Sequence, residues 1–270
     1  MTAPERRVWL HELTRPAFEA YLAAEPKPVA LLPLGSIEQH GPHLPLGTDI
    51  LGAMRVAELT ARKANGVAVL STMVAYSPHH LGFKGTLTLS EDTLIHYLTD
   101  VIASLAHHGV RRVMLVNMHG GNEEIAALVA RVAARQTGAV VAKPRSRTFT
   151  ITPELIASLD IHAGELETAI VLAVAPELVD QAARAAFTTT EQLPEDVLAL
   201  LDPSGPDAFL AQQVANLHIG DTHTHTSSGV YGFKRPQDAR VEVGLEFLEN
   251  LSDEYARFIE LWRRVRLEGE

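Results

Sequence analysis

LLPLGSIEQHGPHLPLGTDI, Leu31 to Ile50, is the stretch from which the rest of the chain is read. Ala30 to Leu34 is a short apolar run of strand type, and Gly35 ends it where the backbone must turn sharply. Glu38, His40, His43 and Asp49 therefore fall on the loop at a strand's carboxyl end, where open α/β sheets build their sites. Glu38 and His40 are two apart, so in an extended segment they point to the same side. Asp49 precedes Ile50, Leu51, Met54 and Leu59, whose spacing is helical, so its carboxylate lies near a helix start. Carboxylate oxygens with imidazole nitrogens form a ligand set for Zn²⁺, Mn²⁺ or Fe²⁺. The competing reading is an ordinary polar loop with Asp49 as a helix cap.

Working outward, the same strand, loop and helix unit recurs. A helix from Asp49 to Ala64 ends at Asn65 and Gly66, and Val67 to Val74 reads as a second β-rich run. The loop Tyr76 to Ser90 carries two adjacent histidines, His79 and His80. Ser90 caps a helix whose apolar face is Leu94, Leu98, Val101, Ile102 and Leu105, and Gly109 stops it. Arg112 to Val116 is the next strand. It delivers NMHGGN, Asn117 to Asn122, to the same sheet edge as the first loop, with Gly120 and Gly121 permitting close backbone approach to a substrate. Asn122 is expected to cap a helix ending at Gly138. Val140 to Lys143 reads as a strand, Thr148 to Ile151 as another, and Thr152 and Pro153 as a helix start. Units of this length predict a three-layer α/β/α fold with a mostly parallel central sheet, in a single domain over residues 1–270.

Further on, HAGELET, His162 to Thr168, opens a helix from Gly164 to Val174. Glu165 and Glu167 then lie about 200° apart around the axis, so they cannot both face one metal centre. Glu191 to Phe209 reads as a surface connection. Asp221, His223 and His225 lie on a polar loop, at a pocket rim or exposed. From Asp238 to Val265 apolar residues recur at threes and fours, giving a long helix that packs on the sheet or meets another subunit.

The composition narrows the classes. The 270 residues carry a net charge of −10, which argues against a nucleic-acid partner. Cysteine is absent, so disulfides and thiolate metal sites are excluded and any metal rests on nitrogen and oxygen ligands. There is no long apolar run and no signal-peptide pattern, so a cytoplasmic protein without membrane association is expected. No GxSxG context surrounds Ser36, and no Walker-type or GxGxxG loop is present.

EQHGPHLPLGTD, NMHGGN and HAGELET together resemble the creatininase family of metal hydrolases, over roughly residues 28–245, with a weaker likeness near Gly229 to Gly232. The resemblance implies a creatininase-like fold and a centre of two divalent ions (Zn, Mn or Fe) held by Glu38, His40, Asp49 and His119, with Asp49 bridging. Creatininases proper carry a fifth ligand, a glutamate, where this chain has Gly121. Members of the HGGN type tend to have an extra glutamate in the HAGE motif, so the resemblance makes Glu165 the replacement ligand and Glu167 a structural partner. The alternative for Glu165 is a helix-start residue that only stabilises the dipole. His162 matches a family histidine suited to proton transfer, and His80 is placed near the substrate without being a ligand.

Two ions bridged by Asp49 would lower the pKa of bound water, and His162 would carry a proton to a departing nitrogen. The implied activity is hydrolysis of an amide C–N bond in a small molecule, by a homo-oligomer, often a hexamer in this family. Creatinine itself is disfavoured. Creatininases proper set a Tyr and a Trp around the substrate ring, where this chain has Gly120 and Ser158. HGGN-type relatives include a deformylase of a formylamino-pyrimidine nucleotide and a peptidase that trims a cofactor-precursor peptide. For a substrate phosphate, Lys84, Arg145, Arg147, Lys234 and Arg235 are the loop cations. A non-catalytic binding protein of the same fold is the remaining alternative.

Overall fold

The computed structural model describes residues 6–144, 160–187, 195–196, 214, 220–224, 226–232 and 235–268. The expected strand at Thr148, the helix start at Thr152, the 191–209 connection, Arg145, Arg147, Ser158, His225 and Lys234 lie outside the described residues, apart from 195–196. In chain order the elements are α1 (Arg15–Ala24), β1 (Val29–Leu34), α2 (Thr48–Lys63), β2 (Val67–Ala68), α3 (Glu91–His107), β3 (Arg112–Asn117), α4 (Glu123–Thr137) and β4 (Val140–Ala142). Then follow β5 (Asp160–His162), α5 (Glu165–Val174), α6 (Gln181–Ala186), β6 (Tyr231–Gly232) and α7 (Val241–Trp262).

The main sheet has the order β2-β1-β3-β4 and every pair in it is parallel. Strand β1 is paired on both sides, so its six residues are buried on both faces and read as a continuous apolar run rather than an alternation. Successive side chains still separate by face. Val29, Leu31, Met114 and Val116 enter a core shared with α2, α5 and α7, whereas Ala30, Leu32, Leu34, Val113 and Leu115 enter one shared with α3 and α4. This is the expected three-layer α/β/α arrangement. Chain direction across the sheet switches between β1 and β3, and the crevice beyond their carboxyl ends is where such folds place ligands.

Local chemistry explains the helices. Ser90 accepts a hydrogen bond from Thr93 N at the start of α3. Gly138, at φ 68°, ends α4 in the left-handed conformation that favours glycine. Leu94, Leu98 and Ile102 of α3 are fully enclosed, each worth about 2 kcal/mol of burial. The C-terminal stripe forms one continuous helix, α7, which packs on α2 and α5 through Phe247, Leu248, Leu251, Tyr255 and Ile259. Val241, Leu245 and Val265, expected in that stripe, are exposed instead. None of the helices among the described residues is long and apolar enough to cross a membrane.

Two expectations need correction. The β-rich run from Val67 pairs only as far as Ala68. Val69 N still bonds to Leu31 O, but the Thr72 hydroxyl then bonds to the backbone of Val74 and turns the chain away from the sheet. Asn122 precedes α4 as foreseen, yet its side chain does not cap the helix. Its amide is engaged across the crevice, as described next.

Candidate metal centre

The crevice floor is made where β1 and β3 end. A Cβ at Gly35 would lie 2.4 Å from Ile50 N, so the exit of β1 and the first turn of α2 touch backbone to backbone. That contact holds Asp49 over the end of β1. Glu38 N donates to Leu46 O at 2.9 Å and closes the intervening loop, leaving Glu38 and His40 buried on one side of it. From β3, Asn122 donates to Gly35 O at 2.9 Å and accepts from Tyr76 N at 3.1 Å, tying the two strand exits to the 76–90 loop.

Glu38, His40, Asp49 and His119 meet on this floor. His40 Nε2 is 3.1 Å from Asp49 Oδ1, His119 Nδ1 is 3.0 Å from Asp49 Oδ2, and His119 Nε2 is 3.4 Å from Glu38 Oε2. Each imidazole is anchored at its other nitrogen by a backbone carbonyl, which can only accept. His40 Nδ1 donates to Glu38 O at 3.1 Å and His119 Nε2 to Tyr76 O at 3.0 Å. This fixes the tautomers so that the remaining nitrogens, His40 Nε2 and His119 Nδ1, point at Asp49, as metal-binding histidines are oriented. Asp49 Oδ2 is buried and, despite its closeness to His119, lacks an aligned hydrogen bond.

The electrostatics describe a site built for cations. Among the described residues no lysine or arginine pairs with Glu38 or Asp49. In the metal-free chain, burial and the Asp49 carboxylate push Glu38 up to about 7. Burial also opposes ionisation of Asp49, but His40 and His119 overcome it and hold this carboxyl far below the usual range. Burial likewise opposes protonation of His40 and His119, and Asp49 outweighs it, raising them to about 10 and about 9. Protons thus occupy the space between the ligands, and divalent ions would replace them. The donor set therefore fits the ions implied by the sequence: buried, oxygen and nitrogen only, and with a bridging-type aspartate between two imidazoles.

A second wall stands over the floor. His162 Nε2 donates to Gln39 O at 2.7 Å, which leaves Nδ1 facing Glu38 Oε1 at 3.8 Å. His80 Nδ1 accepts from the Gln39 amide at 3.1 Å, which places its Nε2–H toward Glu38 Oε1 at 3.3 Å. Burial lowers both histidines, His80 to about 2 and His162 well below its ordinary value, so both are neutral. The Ser77 hydroxyl donates to Glu38 Oε2. From α5, Glu167 Oε2 comes within 3.8 Å of His40 Nε2 and accepts from Ala163 N. Its side chain keeps 27% exposure, yet the surrounding protein raises its pKa, desolvation outweighing the pull of His40.

Four groups of side chains could each hold an ion, with ligand atoms within 4.8 Å of one another. They are Glu38, His40 and Asp49; Glu38, His79 and His119; Glu38, His80 and His162; and His40, His162 and Glu167. Glu165, at the start of the same helix, falls in none of them among the described residues. Sequence reading passed over His79 and ranked Glu167 second. The signal for Glu167 was its place in HAGELET beside Glu165; for His79 there was none beyond adjacency to His80. His43, prominent in the first motif, turns out to be structural. Its Nε2 meets the Thr168 hydroxyl at 2.9 Å, fastening the loop to α5. His223 is exposed and lies against Gly82, and Arg235 pairs with Asp238, so neither enters the floor. Gly120 faces open space, with nothing within 4 Å of where a Cβ would be.

Known proteins are similar to this chain in sequence and fold. The family described as creatinine amidohydrolase matches residues 11–259. A mycofactocin precursor peptide peptidase of Mycobacterium ulcerans is 31% identical over 87% of this chain and 86% of its own length. One from Mycolicibacterium smegmatis is 38% identical, the match spanning 56% of this chain and 59% of the relative. Creatinine amidohydrolase of Pseudomonas putida is 31% identical over 65% of this chain and 75% of its own length. Among solved structures, a creatininase described as the Mn form superposes with a TM-score of 0.73 at 25% identity, covering 95% of this chain and 99% of that one. With a family match over almost its whole length and the same fold in solved relatives, the chain belongs to the creatininase family.

Proposed function

We propose that this protein is a metal-dependent amidohydrolase that cleaves an amide C–N bond with two divalent ions in the crevice. The observation that carries the reading is Asp49, buried between the inward-facing nitrogens of His40 and His119, with no lysine or arginine paired to it among the described residues. Glu38, Asp49 and His119 would hold one ion, and His40, Asp49 and Glu167 the other. Bound there, such ions supply a Lewis acid that acidifies water and polarises a carbonyl oxygen. The remaining work falls to the protein. Burial keeps His162 neutral, and its Nδ1 is the atom available to take a proton and return it to the departing nitrogen. His80 and Ser77 hold Glu38 in place through its two oxygens. We assign the helix carboxylate to Glu167 in preference to Glu165, because Glu167 Oε2 comes within 3.8 Å of His40 Nε2 and joins a group of metal-sized spacing with His40 and His162.

For the substrate, the open space at Gly120 supports a group larger than a small flat ring. A peptide end is a specific second reading, supported by the match to the Mycobacterium ulcerans peptidase over 87% of this chain. A cyclic amide or a formamide is the first; the chain is also 31% identical, over 35% of its length, to a formylamino-pyrimidine nucleotide deformylase of Methanocaldococcus infernus. The test is hydrolysis of formamides, cyclic amides and short peptides by metal-stripped protein before and after adding Zn²⁺ or Mn²⁺. Turnover that appears only with metal supports the reading. No turnover of any of the three classes with metal bound would return the chain to a binding role.

A further inference from the structure

Gly121 is a glycine for reasons of space, not of backbone conformation: its φ is not in the left-handed region. A Cβ at this position would lie 2.5 Å from His119 Nε2, 2.8 Å from His79 Cε1 and 2.8 Å from Tyr76 O. Real side chains do not tolerate such contacts with a backbone carbonyl and a buried ring. The volume beside the His119 ring therefore belongs to His79. That ring stacks on His119 with centroids 5.7 Å apart and planes 9° apart. It is held by the short turn Pro78–His80, which directly follows Ser77, the residue whose hydroxyl grips Glu38. Glu38, His79 and His119 each present a ligand atom within 4.8 Å of the others, and two of these three already belong to the floor.

We propose that His79 is a ligand of the ion held by Glu38, Asp49 and His119, entering through the space that the absent side chain at position 121 leaves open. This rests on the reading of the crevice as a metal centre. His79 then gives that ion a second imidazole, while Glu167 gives its neighbour a second carboxylate. The two ions receive different ligand sets, one richer in nitrogen, which favours Zn²⁺ over harder ions at the His79 side.

The test measures metal per chain by plasma mass spectrometry and Zn²⁺ affinity by chelator competition, with circular dichroism to confirm folding. His79→Phe keeps a ring over His119 but removes the nitrogens. The expected result is a folded protein in which one of two ions is held at least ~10-fold more weakly, the scale on which even supporting residues of metal sites act. The change His79→Asp offers a carboxylate oxygen from the same turn without adding an atom at position 121, and should retain more of that affinity than His79→Phe. Wild-type metal content and affinity in His79→Phe would overturn the proposal. Asp49→Ala separates the two levels of failure. If it loses both ions while His79→Phe keeps both, only the role of His79 is wrong. If Asp49→Ala keeps both, the metal centre itself is wrong and His79 falls with it.

Discussion

The floor of the crevice and the wall above it are built in different ways. Glu38, His40, Asp49 and His119 stand on the exits of two hydrogen-bonded central strands and on the first turn of a helix locked against one of them. Both floor imidazoles are fixed by backbone carbonyls. The wall is assembled from farther afield: His79 and His80 from a loop turn, His162 from a two-stranded ribbon, and Glu167 from α5. Gln39 knits much of it together: its side-chain amide donates to His80 and to Gly229 O, and its carbonyl oxygen accepts from His162. On the account proposed above, the floor anchors both ions, whereas the wall completes their ligand sets through His79 and Glu167 and supplies, in His162, the group that acts on the substrate.

The sharpest way to break that distinction is to truncate one residue from each part. His119→Ala should lose bound metal, and hydrolysis should fall to background. His162→Ala should keep its metal and lose about 10²- to 10⁴-fold in turnover, the usual contribution of a positioned acid or base. Loss of metal from the second variant would erase the division. Next in size, Glu167→Gln should weaken binding of one ion by ~10- to 100-fold, whereas Glu165→Gln should leave metal affinity close to wild type. The reverse order, measured by chelator competition, would restore the assignment first drawn from the sequence.

The glycines give a smaller effect. Gly35→Ala forces a Cβ into the backbone of Ile50 and should cost roughly 1–3 kcal/mol in urea unfolding, with metal binding impaired because Asp49 moves. Gly120→Ala meets nothing and should stay within about 0.5 kcal/mol. The smallest effect is on pH dependence in the metal-free protein. His119 and His40 are raised to about 9 and about 10, so their stabilising contribution is complete below 6.5 and is lost as pH rises through those values. Glu38, raised to about 7, loses its contribution in the same direction, from 4.5 upward through 7. His43 and His79, lowered to about 4, and His80, lowered to about 2, contribute above 6.5 and lose that contribution as pH falls below it. Melting temperature should therefore decline from pH 7 toward 10. Added metal should abolish the alkaline part of that decline, since bound ions keep the ligands deprotonated.

How much of this was legible in the sequence follows from the same division. The floor lies within two short motifs: strand period, a glycine stop and a helix start placed Glu38, His40, Asp49 and His119 at one sheet edge, and the resemblance of those motifs to the creatininase family joined them into one centre. The wall depends on contacts between residues such as Gln39 and His162, 123 positions apart, which no local pattern encodes. Helical geometry showed that Glu165 and Glu167 could not serve one centre together, but which of them turned inward depended on how α5 packs on α2 and α7. Asn122 carried a cap signature and was recruited across the crevice, because Gly35 O and Tyr76 N needed partners there. His43 had the look of a ligand in the motif and became a fastener, because Thr168 reached it first.

The most direct measurement is the metal content of the wild-type protein and of Asp49→Ala, purified without a histidine tag and reconstituted with Zn²⁺ or Mn²⁺. The account predicts two ions per chain in the wild type and none retained after dialysis in the variant, because both ions share that carboxylate. Equal metal in the two proteins, or none in the wild type after reconstitution, would contradict it.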